Sequence, residues 1–212
     1  GHPLIDEIAN RKQVTDTTFR KENGLDQRPI IAILPGSRKQ EISKMLEVML
    51  SIVEDFKDYQ FVIAGAPSQN ESFYQPFIKT QNIHLLLNKT YDLLSVATAA
   101  LVTSGTATLE AALFKVPEVV CYKSSWLSYQ IGKRLVKHIK YISLVNLIMD
   151  KEVVTELIQN EFNTVNLKRE LTKILDHYQR TKFFISYYDL EKVLGGKGAS
   201  EAVAKHVYQS LL

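Results

Sequence analysis

Cysteine is nearly absent from this sequence: Cys121 stands alone among 212 residues, so no disulfide framework holds the chain together and its stability must come from burial. At the end of the apolar run Val119-Val120, that thiol reads as a small buried hydrophobe, consistent with a reducing compartment. Long apolar runs are missing too. None approaches the roughly 20 residues that cross a bilayer, and the first residues lack a signal-peptide layout, so a soluble or peripherally bound protein is expected. Nor does charge of one sign dominate. Lys and Arg number 26 against 23 Asp and Glu, a net charge of +3, which is far from a nucleic-acid footprint; no nucleic-acid partner is expected. His84, His138, His177 and His206 are scattered without metal-ligand spacing, and no Ser, His and acid set suggests a hydrolase. We assign no metal. Internal repeats and low-complexity tracts are absent as well.

What is present is 45% hydrophobic and 23% charged sequence, enough to bury a full core. Short apolar runs alternate with longer amphipathic ones, the pattern of stacked βαβ units and a parallel sheet. The strand candidates are Ile30 to Leu34, Phe61 to Ala64, Ile83 to Leu87, Ala100 to Thr103, Val119 to Tyr122 and Tyr141 to Leu144. Between the first two, Ile42, Met45, Leu46, Met49, Ile52, Val53 and Phe56 recur at spacings of three and four, which puts them on one face of a helix. Ser37 followed by Gln40 has the form of a capping box that would start this helix. Tyr91 to Ala99, Ala107 to Phe114 and Ser128 to Val136 fill other crossovers.

The fold class read from this pattern is α/β, a doubly wound Rossmann-like parallel sheet with helices on both faces, followed by a helical tail. The sheet domain spans 30–149. Residues 1–29 read as a linker with one short helix. In the tail, 150–212, Asp150 can cap a helix carrying Val153, Val154, Leu157 and Ile158, a second carries Leu167, Leu171, Ile174 and Leu175, and two more run through Phe183 to Leu194 and from Ser200 to Leu211. Gly195-Gly196-Lys197-Gly198 follows a helix rather than a strand and lacks P-loop spacing, so it reads as a helix C-cap and turn.

Three constellations bear on chemistry. In Leu34-Pro35-Gly36-Ser37-Arg38-Lys39-Gln40-Glu41, an apolar strand feeds a helix N-terminus, a ready anion site. Gly36 lets backbone approach a ligand, Ser37 offers a hydroxyl or a cap, and Arg38 offers a charged fork suited to phosphate. Alone, these residues fit a capped helix with a solvent-facing Arg equally well. Thr103-Ser104-Gly105-Thr106-Ala107-Thr108-Leu109-Glu110 repeats the arrangement, its amides and hydroxyls suiting a diphosphate and Glu110 suiting ribose hydroxyls, although a Ser-Gly-Thr turn in isolation is more often a plain turn into a helix. Finally, Asn146 in Ser143-Leu144-Val145-Asn146-Leu147 follows the last expected strand, where Asn is commonly a turn or cap residue. Lys133, Arg134, Lys137 and Lys140, near Trp126 and Tyr129, form a basic stretch that reads first as a solvated helix face, and otherwise as a surface for membrane phosphates or for a phosphate on a substrate.

Leu34 to Arg38 with Glu41, Thr103 to Ala107 with Leu109-Glu110, Ser143-Leu-x-Asn146-Leu147 and Glu156-Leu-Ile-Gln159, in this order and spacing, resemble the lipid-A-disaccharide synthases over essentially the whole chain. Val145 departs from the Pro usual there. The resemblance implies the C-terminal, donor-binding half of a GT-B glycosyltransferase that transfers 2,3-diacylglucosamine from UDP to 2,3-diacylglucosamine 1-phosphate. By similarity the UDP-sugar site comprises Gly36, Ser37, Arg38 and Glu41, then Ser104, Gly105, Thr106 and Glu110, then Asn146 and Gln159. It further implies no metal or other cofactor, a general base in the other half, and hence no turnover by this chain alone. A cytoplasmic location peripheral to the inner membrane, and homodimerisation through the tail, are further implications. Other UDP-sugar enzymes of this architecture, a MurG-type transferase or a UDP-N-acetylglucosamine 2-epimerase, remain alternatives, as does a non-catalytic nucleotide-binding module.

Overall fold

A computed structural model describes residues 1–123 and 140–210. Six parallel strands form one sheet: β1 (Ile30–Leu34), β2 (Gln60–Gly65), β3 (Ile83–Leu87), β4 (Ala99–Thr103), β5 (Glu118–Tyr122) and β6 (Thr155–Ile158), in the order β3-β2-β1-β4-β5-β6. The chain winds outward from β1 to β3, then returns to place β4 against β1. That reversal opens a crevice at the carboxyl ends of β1 and β4, where ligands of doubly wound sheets bind.

The strands are apolar throughout because both faces are covered. Every residue of β1, β2 and β4 is buried. Alternation then sorts the side chains: Ile31 and Ile33 pack with Met45, Leu46 and Leu171 on one face, while Ile30, Ala32 and Leu34 pack with Phe19, Leu93 and Leu94 on the other. The helices among the described residues are α1 (Pro3–Asn10), α2 (Asp16–Glu22), α3 (Lys39–Met49), α4 (Glu71–Tyr74), α5 (Thr90–Val96), α6 (Thr106–Leu113), α7 (Leu144–Met149), α8 (Thr164–Leu175), α9 (His177–Leu194) and α10 (Ala199–Ser210). Gly195, at φ +81°, ends α9 as the C-cap. Cys121 is fully buried.

The structure corrects several expectations. Tyr141 to Leu144 is not a strand: Ser143 N-caps α7, its Oγ accepting a hydrogen bond from the Asn146 amide at 3.2 Å. The sixth strand comes instead from Thr155–Ile158, in the segment read as a helix carrying Val153, Val154, Leu157 and Ile158. A spacing of three and four fits these residues, but β-branched content and the open edge of β5 win, and β6 pairs along Val119 to Tyr122. Asp150 terminates α7 in the left-handed region, at φ +47°, rather than starting a helix. The Ser37–Gln40 capping box does not form. Arg38 is the N-cap of α3, without a side-chain cap hydrogen bond, because the chain stays extended one residue beyond Ser37. The face begun by Ile42 continues past Met49 as a 3₁₀ segment, Leu50–Asp55, that keeps Ile52 and Val53 buried. The first 29 residues hold two helices, not one. The expected helix at Ser128 to Val136, with Lys133, Arg134 and Lys137, lies outside the described residues.

Candidate functional site

Two strand-turn-helix joints face each other across the crevice. They enclose a cleft of about 450 Å³ lined by Gly36, Ser37 and Glu41 from one side and Ser104, Gly105, Thr106 and Glu110 from the other. Both α3 and α6 point their N-termini into it, so unpaired amides and the positive ends of two helix dipoles converge there. Such an arrangement favours an anion.

The β1–α3 joint is loosely held. Gly36 sits at φ +101°, and a side chain there would bring Cβ within 2.6 Å of Glu41 Oε2, so the Glu41 carboxylate packs directly over the turn. Among the described residues the turn backbone has one side-chain tether, Ser68 Oγ, which donates to the Ser37 carbonyl at 2.9 Å. Arg38 is exposed at the rim and does not line the cleft.

The β4–α6 joint is bolted down. Gly105, at φ +134° and ψ −159°, occupies a conformation nearly restricted to glycine, with nothing within 4 Å of the space a side chain would fill. Ser104 Oγ donates to the Ile142 carbonyl at 2.9 Å. Thr108 Oγ1 donates to the Gly105 carbonyl at 2.9 Å and accepts from the Leu144 amide at 3.3 Å. The 140s loop that receives these bonds is itself fixed by Glu156: its carboxylate accepts from the Ile142 amide (2.8 Å), the Ser143 amide (3.0 Å), the Ser143 hydroxyl (2.7 Å) and Asn146 Nδ2 (2.8 Å).

Asn146 therefore occupies a structural position. It is fully buried; Nδ2 also donates to the Val154 carbonyl (2.8 Å), and Oδ1 accepts from the Val153 (2.7 Å) and Val154 (3.0 Å) amides. These bonds use its amide group fully. Gln159 ends β6 in the left-handed region, φ +53°, its amide donating to the Tyr122 carbonyl at 2.8 Å. Neither lines the cleft. Seven of the sequence-derived residues thus meet in one cavity, while Arg38 borders it and the other two stand away from it.

Glu110 is half-buried, one turn into α6, and accepts a hydrogen bond from the Tyr91 hydroxyl at 3.2 Å. Burial pushes its carboxyl above the usual range and the charge of Glu7 adds to the rise, whereas the Tyr91 bond opposes it. Burial, followed by the charge of Glu110, likewise raises the Tyr91 phenol.

Sequence reasoning missed part of the lining. Thr90 and the Ala64-Gly65-Ala66-Pro67 turn after β2 also face the cleft. The latter carried a signal: small residues at a strand end. A side chain on Gly65 would bring Cβ 2.4 Å from Leu87 Cδ2, and the Tyr74 hydroxyl fixes the turn by accepting from the Ala66 amide at 2.8 Å. Thr103, at the end of β4, has a buried hydroxyl without a hydrogen-bond partner among the described residues, in the cleft wall. No group of three His, Cys, Asp or Glu converges to hold a metal among the described residues.

A sequence profile of the family described as Lipid-A-disaccharide synthetase matches residues 1–202. A lipid-A-disaccharide synthase of Syntrophus aciditrophicus is 36% identical over 212 aligned residues, covering 96% of this chain and 55% of that protein. One from Geobacter sulfurreducens is 33% identical, covering 100% of this chain and 56% of that protein. The chain thus spans about half the length of these curated relatives. Among solved structures, the S. aureus MnaA–UDP co-structure superposes with a TM-score of 0.64 at 14% identity, covering 100% of this chain and 52% of that one. The Neisseria meningitidis UDP-GlcNAc 2-epimerase bound to UDP-GlcNAc gives 0.59 at 16% identity, covering 99% and 54%. At these identities the likeness concerns the fold, the GT-B half-domain.

Proposed function

Given that the chain belongs to the lipid-A-disaccharide synthetase family, we propose that it is the donor-binding half of a hexosyltransferase. The whole enzyme transfers 2,3-diacylglucosamine from its UDP donor to 2,3-diacylglucosamine 1-phosphate and releases UDP. The observation that carries this reading is the pair of facing joints, with Glu110 one turn into the second. Two sets of helix amides suit a diphosphate, and a carboxylate at that distance from the turn suits vicinal hydroxyls.

In this reading the leaving group is neutralised by protein groups. Negative charge grows on the UDP diphosphate as the glycosidic bond breaks. The amides of Ser37 and Thr106 and the guanidinium of Arg38, drawn in from the rim, stabilise that charge most when it is most developed. Glu110 holds the ribose and so fixes the register of the diphosphate. Asn146 and Glu156 act at one remove, holding the 140s loop on which Ser104 rests. The base that takes the acceptor hydroxyl proton belongs to the half of the enzyme that this chain does not span.

No helix among the described residues is long and apolar enough to cross a membrane. We place the enzyme at the cytoplasmic face of the inner membrane, since both substrates carry acyl chains. The exposed Tyr178, Ile185, Tyr188 and Val193 of α9 support burial of that face against the other half or a second copy.

Calorimetric titration with UDP tests the donor site. Saturable binding is expected, and addition of the separately produced other half should restore disaccharide formation from the two lipid substrates. Absence of UDP binding would overturn the assignment.

A further inference from the structure

The Glu110 carboxylate is part of the cleft wall, and it is gripped from outside the cleft. Glu110 and Phe114 lie one turn apart on the same face at the end of α6, the Phe114 amide donating to the Glu110 carbonyl at 3.0 Å. Tyr91 of α5 lies along that face. Its ring packs on Phe114 with 5.5 Å between centroids, and its hydroxyl donates to Glu110 Oε1 at 3.2 Å. Tyr91 does not line the cleft and meets it only through Glu110.

Tyr91 is itself fastened by its neighbours. Lys89, the N-cap of α5, donates to Asn23 Oδ1 at 2.6 Å and so ties the start of that helix to the end of α2. Asp92 pairs with Arg11 at 2.8 Å, and the same guanidinium lies 5.0 Å from the centroid of the Phe114 ring on which Tyr91 packs. A phenol held by its own helix and by an aromatic neighbour gives Glu110 one preferred orientation rather than several. One O–H takes one of about four acceptor sites on a carboxylate, so the others stay available to hydroxyls of a ligand. Two further acids face this pair: Glu7 of α1, which bonds the same phenol, and Glu41 of α3, which lines the cleft with Glu110.

We propose that Tyr91 is a positioning residue that makes the cleft selective for a nucleotide with vicinal ribose hydroxyls, by holding Glu110 in the orientation that accepts from them. The proposal rests on the reading of the cleft as the UDP-sugar site and of Glu110 as its ribose contact. Selectivity follows from what is left unpaired. A half-buried carboxylate fixed to receive hydroxyls loses its partners when the sugar lacks them, whereas one free to turn toward water loses less. Tyr91 should therefore matter to the sugar and not to the diphosphate.

The test titrates the chain with UDP and with 2′,3′-dideoxy-UDP, which has the same base and diphosphate. The unaltered chain should bind UDP more tightly by about tenfold or more. Tyr91→Phe keeps the ring on Phe114 and removes only the hydroxyl. It should weaken UDP by about fivefold and leave the dideoxy analogue nearly unaffected, so that the ratio of the two affinities shrinks. Glu7→Gln, which alters the other acid at the phenol, should keep that ratio at or above its original value. An unchanged ratio in Tyr91→Phe, equal weakening of both ligands as a merely structural role would give, or the same fall in Glu7→Gln would each overturn the proposal while the donor reading stands. If the unaltered chain binds both ligands equally, the ribose contact of Glu110 falls and the role of Tyr91 with it. If neither ligand binds, the donor reading itself falls and takes the proposal with it.

Discussion

The two joints that frame the cleft share a plan and differ in their fastening. At β1–α3 the turn backbone carries one side-chain tether among the described residues, from Ser68. At β4–α6, Ser104 and Thr108 bind the 140s loop, and Glu156 locks that loop with four hydrogen bonds. Uncommitted groups at the first joint are available to close on a ligand. A fixed second joint supplies the surface on which they close, which is how a preorganised anion site keeps its reorganisation cost low.

Breaking the fastened side should have the largest effect. Glu156→Ala leaves two backbone amides, a hydroxyl and the buried Asn146 amide without their acceptor, and should destabilise the fold by about 3 kcal/mol or more, read as a fall in the urea midpoint. UDP affinity should fall with it, because Ser104 loses the loop it rests on. Next come the glycines. Both Gly36→Ala and Gly105→Ala impose positive-φ strain, on the order of 1–3 kcal/mol each. Only the first adds a clash, with Glu41, so Glu41→Ala should recover part of the stability of Gly36→Ala and none of that of Gly105→Ala.

Arg38→Ala should sharpen the contrast from the binding side. An exposed side chain should cost within about 0.5 kcal/mol of stability, while losing a charge-assisted contact to phosphate weakens UDP by roughly tenfold or more in calorimetry.

The smallest effect on binding is expected at the far end of the sheet. Glu118, at the start of β5, is fully buried, and neither carboxyl oxygen has a hydrogen-bond partner among the described residues. Burial, and after it the charge of Glu156, holds its carboxyl well above the usual range. A raised folded value means that the native state binds the proton more tightly than the unfolded chain does. Its influence therefore lowers stability as pH rises from the ordinary carboxylate value, near 4.5, toward the raised one. Glu118→Gln should flatten that fall in pH-dependent urea unfolding and leave UDP affinity unchanged.

Much of this was legible in the sequence. An apolar run, a glycine and the onset of helical spacing locate both joints, since a parallel strand must turn sharply into its crossover helix. The strands of the sheet's centre read directly because burial on both faces leaves them continuously apolar. At the edge this signal fades: β6 is half-buried, and Val153 to Ile158 fit helical spacing as well as strand. The part played by Asn146 was hidden for another reason. Its side-chain partners, Val153, Val154 and Glu156, lie seven to ten residues away and are joined by hydrogen bonds rather than by periodicity. Tyr91 and Thr90 reach the cleft only because α5 is packed where it is.

Amide chemical shifts of the isotopically labelled chain, followed through a UDP titration, bear most directly on the facing joints as the diphosphate site. The largest changes are expected at Gly36, Ser37, Gly105 and Thr106, on both sides of the cleft and with one common dissociation constant. Saturable UDP binding that leaves those four amides unmoved would contradict the account.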